Sequence, residues 1–346
     1  YGSDFAVNSP IVRAKIGDSN KETNIERLKL KMVDCGWEYV SHIINTNNNI
    51  IYTVKKDDKI INISIGNLKY KLENNIDLEP LKGISRIELA LKNFIESIYS
   101  SDVDKFRLGR LEIDIYLKEL NIGFEMNGLY WHSENYKDKY FHLNKTNSCK
   151  ENGIKLIHIW EDDWNFKNEI VKSRIRNILQ KNENKIYARK CSIKEVKSSD
   201  ARKFLDDNHL QGFVSSNLYI GLYYNNILVS IMTFGKRRNF MNSVDNGVDW
   251  ELYRFCNIIN TSVVGGADKL FKYFIQNYEY KGILSYSDKC WNEAVLYTKL
   301  GFVGSGDSDV GYHWVDGERR HYRYKFAKYK LVEQGYDKDK TGDEIM

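Results

Sequence analysis

Between Leu111 and Asn127 the chain alternates so strictly that few local folds can accommodate it. Leu111-Glu-Ile-Asp-Ile-Tyr-Leu117 is apolar at every second position, and Asn121-Ile-Gly-Phe-Glu-Met126 resumes the pattern after Lys118–Asn121. Side chains alternate between the two faces of a strand, so the stretch predicts an antiparallel hairpin. With Glu119-Leu120 at the centre of a two-residue turn, residues whose numbers sum to 239 face one another, Asp114 opposite Glu125 and Glu112 opposite Asn127. Leu111, Ile113, Ile115, Leu117, Ile122, Phe124 and Met126 then line one apolar face, and the other face carries three carboxylates. Like charges directly opposite are destabilising, so the pattern calls for something that offsets them. A divalent hard cation does so through carboxylate oxygens. Mg²⁺ (or Mn²⁺) held by Asp114 and Glu125 together with a substrate phosphate suits phosphodiester cleavage. The plainer alternative is a solvated polar face on an exposed hairpin.

Asn127-Gly128 turns the chain after the hairpin and leaves Tyr130, Trp131 and His132 near the carboxylates. Aromatic residues there can wedge or stack on bases, and a histidine can act as general base or acid. Asn127, Tyr130 and Trp131 are expected on the DNA side of such a site. His142 and Lys145 follow at a helical spacing of three and share a face. Glu88 lies at the boundary of the apolar stripe of a helix with Ile84, Ile87, Leu91, Phe94, Ile95 and Ile98. That position fits a side chain reaching the site or a surface charge. Glu161-Asp-Asp163, after the apolar run Ile154–Trp160, fits a functional strand end or a helix cap.

The 346 residues suggest two or three domains and include no apolar run long enough for a membrane span. The sequence shows no charged-then-apolar leader, so neither secretion nor insertion is indicated. Five scattered cysteines without a Cys-x-x-Cys pair fit small buried residues in a reducing cytoplasm. The net charge of +5 is uneven: Trp164–Lys190 holds eight Lys or Arg against two Glu, and Gly317–Lys330 six against one Glu. Separate basic patches fit a polyanion or a solvated helix face. The expected organisation is a remnant of an N-terminal DNA-binding module over 1–24, a small α/β unit over 25–80, a catalytic unit over 81–183, a further α/β unit over 186–328 and an acidic tail over 329–346. The whole reads as an α/β (α+β) multidomain protein.

These residues resemble the very-short-patch-repair (Vsr-like) branch of the PD-(D/E)XK nucleases, closest to phage homing endonucleases built on that domain. The resemblance rests on Ile87-Glu88, Gly109-Arg-Leu-Glu-Ile-Asp114, Ile122-Gly-Phe-Glu-Met-Asn-Gly128, Tyr130-Trp-His132 and Leu156-Ile-His-Ile-Trp-Glu161. It implies a mixed-sheet nuclease core, Asp114 as principal metal ligand, His132 as catalytic histidine and Glu88 as the family's helix acid. It also implies double-stranded DNA as partner, a homodimer as one route to a double-strand cut, and the cytoplasm of a phage-infected or phage-carrying bacterial host. The sequence departs from the pattern at Asn127, where the superfamily has Lys, and at His142-Leu-Asn-Lys145, where the repair enzymes have an Asp. The last proton-relay role then falls to His142 or Lys145.

Residues 186–326 are similar to a GNAT-type acetyltransferase fold. Gly265-Gly-Ala267 resembles its phosphate-cradling loop, and Trp291–Phe302 its C-terminal helix and strand. The family's loop-start Arg or Gln falls at Ser262, which favours a DNA-binding or positioning module without cofactor. Arg174 and Arg176 on the basic helix Asn168–Gln180, and Arg237, Arg238, Arg319 and Arg320, are then expected phosphate contacts, which position without specifying. The leading expectation is a metal-dependent, site-specific DNA endonuclease of phage homing type. The alternatives are an acyl-CoA-dependent N-acyltransferase using Tyr297 as general acid beside an inert nuclease-like domain, and a non-catalytic DNA-binding protein.

Overall fold

Leu28 and Met32, four residues apart, pin a helix over 26–34 (α1) to a small core completed by Trp37, Tyr52, Val54 and Ile63. The strands are β1 (Glu38–Ile44), β2 (Ile50–Lys56) and β3 (Lys59–Ser64), an antiparallel meander in sequence order. The computed structural model describes residues 26–44, 50–64, 68–69, 71–72, 78, 85–100, 103–129, 138–238, 247–308, 310–315 and 319–340. The expected N-terminal remnant over 1–24 lies outside them. The chain divides into two units, 1–89 and 90–346, and the division falls within α2 (Arg86–Ile98).

In the second unit β4 (Asp104–Leu108), β5 (Leu111–Leu117), β6 (Ile122–Asn127) and β7 (Lys155–Trp160) form one sheet in that order. The first two pairings are antiparallel, and β6 with β7 is parallel. α3 (Phe141–Glu151) makes the crossover, and α4 (Glu161–Phe166) and α5 (Asn168–Ile178) follow. β4 was not expected from the sequence, because Asp104-Lys-Phe-Arg-Leu108 is a half-exposed edge strand with no clean apolar face.

The hairpin has the expected register, with Ile115 opposite Phe124, Tyr116 opposite Gly123 and Leu117 opposite Ile122. Its strict alternation does not survive. Partners of β4 jump from Asp104↔Tyr116 to Phe106↔Ile113, so β5 carries one extra residue around Asp114-Ile115. This bulge turns Ile113 onto the face of Tyr116, where both pack with Cys149, Ile154 and Leu156. Gly123 is required there: a Cβ would lie 2.8 Å from Ile113 Cγ2 and 3.1 Å from Leu156 Cδ1. β6 is buried at every position, so its carboxylate face is interior, against the plainer alternative of a solvated one. β5 and β7 flank it, and α3 lies over it with Lys145 and Cys149 buried.

The remaining strands are β8 (Asn184–Tyr187), β9 (Ser192–Glu195), β10 (Leu218–Tyr224), β11 (Ile227–Lys236), β12 (Trp250–Asn257), β13 (Thr261–Val264), β14 (Ile283–Ser285), β15 (His313–Val315) and β16 (Arg320–Tyr322). A five-stranded sheet runs β14-β12-β11-β10-β9, antiparallel except for β12 with β14. β10 and β11 join through Asn225-Asn226, both residues taking positive φ (49° and 63°), as a tight primed turn demands. α6 (Ser198–Asn208), α7 (Gly266–Asn277), α8 (Val295–Lys299) and α9 (Lys328–Glu333) complete the unit. Lys197 holds the N-cap position of α6 without a side-chain hydrogen bond. α9 buries Leu331 within the stretch expected to be a tail. The chain is a mixed α/β protein built on several sheets, and no helix among the described residues is long and apolar enough to cross a membrane.

Candidate active site

The bulge in β5 and the crossover helix α3 together assemble a buried polar cluster on β6 and β7. Asp114, at the bulge, accepts the Met126 amide on Oδ2 at 2.9 Å. Glu125 is 5% exposed and takes the Lys145 ammonium on Oε1 at 2.5 Å. Burial, then repulsion from Asp114, pushes the Glu125 carboxyl up to about 7 against the opposing pull of Lys145. Its Oε2 is buried with no donor. Glu112, expected as the third carboxylate, is instead neutralised at the sheet edge. Lys105 and Arg107 of β4 bond it at 3.2 and 3.1 Å and hold its pKa below the usual carboxylate range.

Asn127 is fully buried, so the expectation that it touches DNA is corrected. Its amide donates to His158 Nδ1 at 3.2 Å. Thr146 spends its hydroxyl proton on His142 O at 2.9 Å, so Oγ1 accepts from His158 Nε2 at 2.8 Å. The chain Asn127–His158–Thr146 thereby fixes one neutral tautomer of His158. Asn127 Oδ1 is left buried without a donor, like Glu125 Oε2. His142 packs edge-on against His158, with ring centroids 5.3 Å apart, and against Trp160 at 5.1 Å. His158 and Thr146 were not singled out from the sequence. The available signal was a lone polar residue inside Lys155-Leu-Ile-His-Ile-Trp160, which parallel pairing sets beside Glu125.

Tyr130, Trp131 and His132 lie outside the described residues, although Glu161 fixes the chain just before them by accepting the Leu129 amide at 3.0 Å. Glu88 forms a capping box with Ser85, each side chain accepting the other's backbone amide, at 3.2 and 3.3 Å. The basic helix is engaged internally: Arg176 donates to Asn260 Oδ1 at 2.8 Å, and Arg174 lies 4.4 Å over the buried Trp291 ring. Arg320 bridges Asp162 at 2.8 Å and Asp163 at 2.6 Å, tying β16 to α4, so its expected role as an open phosphate contact is corrected. Arg238 pairs with buried Glu251. Arg237 donates its backbone amide to Asp249 O, and Arg319, exposed, covers the Phe166 ring at 3.7 Å. Tyr297, the acid of the acyltransferase alternative, donates to Tyr286 O at 3.4 Å.

Glu125 Oε2 and Asn127 Oδ1 are buried oxygens without donors on the face that carries Asp114, and with Glu125 ionised both are acceptors that suit a cation. Among the described residues no three His, Cys, Asp or Glu side chains group as a metal site. A Mg²⁺ site needs only one or two carboxylates, the rest of its shell being water and substrate phosphate. No family model, curated protein or solved structure matches the chain.

Proposed function

We propose that the chain is a Mg²⁺-dependent DNA endonuclease that hydrolyses phosphodiester bonds at the Asp114–Glu125–Lys145 cluster. The observation that carries this reading is Glu125, a buried carboxylate held near neutrality with one oxygen on Lys145 and the other without a donor. Asp114 and Glu125 Oε2 would hold the cation, with Asn127 Oδ1 as a neutral third oxygen. When bound, Mg²⁺ supplies Lewis-acid polarisation of the phosphate and acidifies a coordinated water. The cation's field would also return Glu125 to its carboxylate form. The Lys145 ammonium neutralises Glu125 Oε1 and would offset charge developing on a bound phosphate, a role for which the superfamily uses a strand lysine. Asn127, held by His158, keeps Oδ1 fixed, and Thr146 locks α3 over the sheet.

The order α2, β4, β5, β6, α3, β7 supports a PD-(D/E)XK-like core, and the five-stranded sheet with α7 after Gly265 supports a GNAT-like unit beside it. Exposed Arg319 is a candidate contact for DNA phosphates. A plasmid-relaxation assay with Mg²⁺ and then with EDTA tests the reading. Nicked or linear product in Mg²⁺ alone is expected. Salt-sensitive binding without product would favour the non-catalytic DNA-binding alternative, and acetyl-CoA binding without cleavage the acyltransferase.

A further inference from the structure

β15 and β16 form a two-stranded ribbon that pairs with no other strand among the described residues. His313 faces Tyr322, Trp314 faces His321 and Val315 faces Arg320. Alternation divides these six side chains between two faces. On one face Trp314 and His321 meet the Phe326 ring edge-on, at centroid distances of 6.3 and 5.6 Å. The 3-10 turn Arg323–Phe326 thus closes that face. On the other, Tyr322 is 65% exposed and Val315 44% exposed, and the Tyr322 ring rests edge-on against His313 at 5.3 Å.

Arg320 fixes where the ribbon stands. Its backbone amide donates to Asp162 Oδ2 at 3.0 Å, and its guanidinium bonds Asp162 and Asp163 at 2.8 and 2.6 Å. The same guanidinium lies 4.6 Å over the Trp160 ring. Trp160 ends β7 and is the register partner of Asn127, two residues beyond Glu125. Arg319 adds its contact with Phe166 of α4. The ribbon is therefore anchored at the end of the strand pair that carries the candidate site, with its exposed tyrosine held in a paired strand and not on a loop.

The charge at this end is one-sided. From Arg319 to Lys330 the chain has six Lys or Arg and no Asp or Glu. Asp162 and Asp163, the carboxylates that meet the ribbon, are both taken by Arg320. Lys325 and Lys328 are exposed. Lys325 Nζ lies 3.2 Å from His321 Nδ1, and among the described residues neither lysine pairs with a carboxylate.

We propose that the β15–β16 ribbon lies in the major groove of a DNA duplex, with Tyr322 and Val315 against base edges and Lys325 and Lys328 on flanking phosphates. The major groove admits a two-stranded β-ribbon, and apolar side chains there contact the thymine methyl group. The uncompensated cations favour a polyanion over an apolar protein partner. The proposal rests on the reading of the chain as a protein that acts on DNA. It assigns the choice of site to an element outside the nuclease core.

The test is fluorescence anisotropy of the full chain with a labelled random-sequence duplex in EDTA over a series of salt concentrations. The wild type is compared with Lys325→Gln/Lys328→Gln, Tyr322→Ser and a control, Arg189→Gln/Lys190→Gln, which removes equal charge from exposed residues after β8. The Lys325/Lys328 variant is expected to reduce the slope of log affinity against log salt by about one per lysine, and the control to leave it unchanged. Tyr322→Ser is expected to keep the slope and to relax the base preference selected from a randomised duplex pool. An unchanged slope in the lysine variant, an equal reduction in the control, or an unaltered base preference in Tyr322→Ser would overturn the proposal. Tighter binding of single-stranded DNA than of duplex would overturn it as well. Binding is read without Mg²⁺, so a chain that shows these effects and never cuts would sink the nuclease reading and keep the ribbon. A chain that cuts in Mg²⁺ with all slopes unaltered would do the reverse.

Discussion

Replacing Lys145 with Met removes the cation bonded to Glu125 while keeping most of the buried stem. Even with Lys145 present, burial and Asp114 lift Glu125 from an ordinary 4.5 to about 7. A shift of that size corresponds to roughly 3 kcal/mol between the two protonation states. The folded pKa is raised, so the folded protein holds an extra proton between these values and loses stability as pH rises through the window. Without Lys145 the folded pKa climbs further and the window extends upward. Breaking a buried pair on one side costs up to about 3–5 kcal/mol, and the loss should grow as pH rises through the window and be larger at pH 8 than at pH 5. At pH 5 the variant's Glu125 stays protonated when folded, and the loss should fall to less than half. Urea unfolding of wild type and Lys145→Met at both pH values measures this. The double variant Lys145→Met/Glu125→Gln should recover most of the loss at pH 8. An equal loss at pH 5 and pH 8, or no recovery in the double variant, would refute the electrostatic reasoning.

Gly123→Ala should destabilise by about 1–3 kcal/mol through overpacking, because the new methyl meets Ile113 and Leu156; chemical denaturation reads it. Arg320→Ala strips buried Asp162 and half-buried Asp163 of their partner and should cost about 3–5 kcal/mol, seen as a lower melting temperature. The thiols of Cys256 and Cys290, each pushed by burial to about 12, should react slowly with a thiol reagent at pH 8 in the native protein. Both should react readily once it is unfolded.

Much of the hairpin could be read from its alternation, and its register followed from the numbers alone because one slip would have buried Glu125 against the apolar face. The bulge could not be read. It depends on the pairing of β5 with β4, an edge strand whose composition gives no periodic signal. The same limit hid the buried character of β6. Glu125 and Asn127 were placed on the correct face, but α3 and β7 cover that face through contacts distant in sequence. His142 and Lys145 could be assigned to one helical face, whereas Thr146 and His158 needed the crossover to bring them together. The basic helix misled for a related reason. Arg174 and Arg176 were expected to meet DNA phosphates, yet α5 lies against β13, with Arg176 on Asn260 and Arg174 over Trp291. Charge counts along a sequence carry no information about which neighbours a helix will meet.

The claim that Asp114 and Glu125 form a metal-dependent phosphodiesterase site is tested most directly by single-turnover DNA cleavage in Mg²⁺. The wild type, Asp114→Ala and Glu125→Ala should be compared at matched DNA occupancy, with folding of each variant verified. Loss of on the order of 10²-fold or more in both variants, with DNA binding retained, is the expected result. Undiminished cleavage by Asp114→Ala would contradict the assignment.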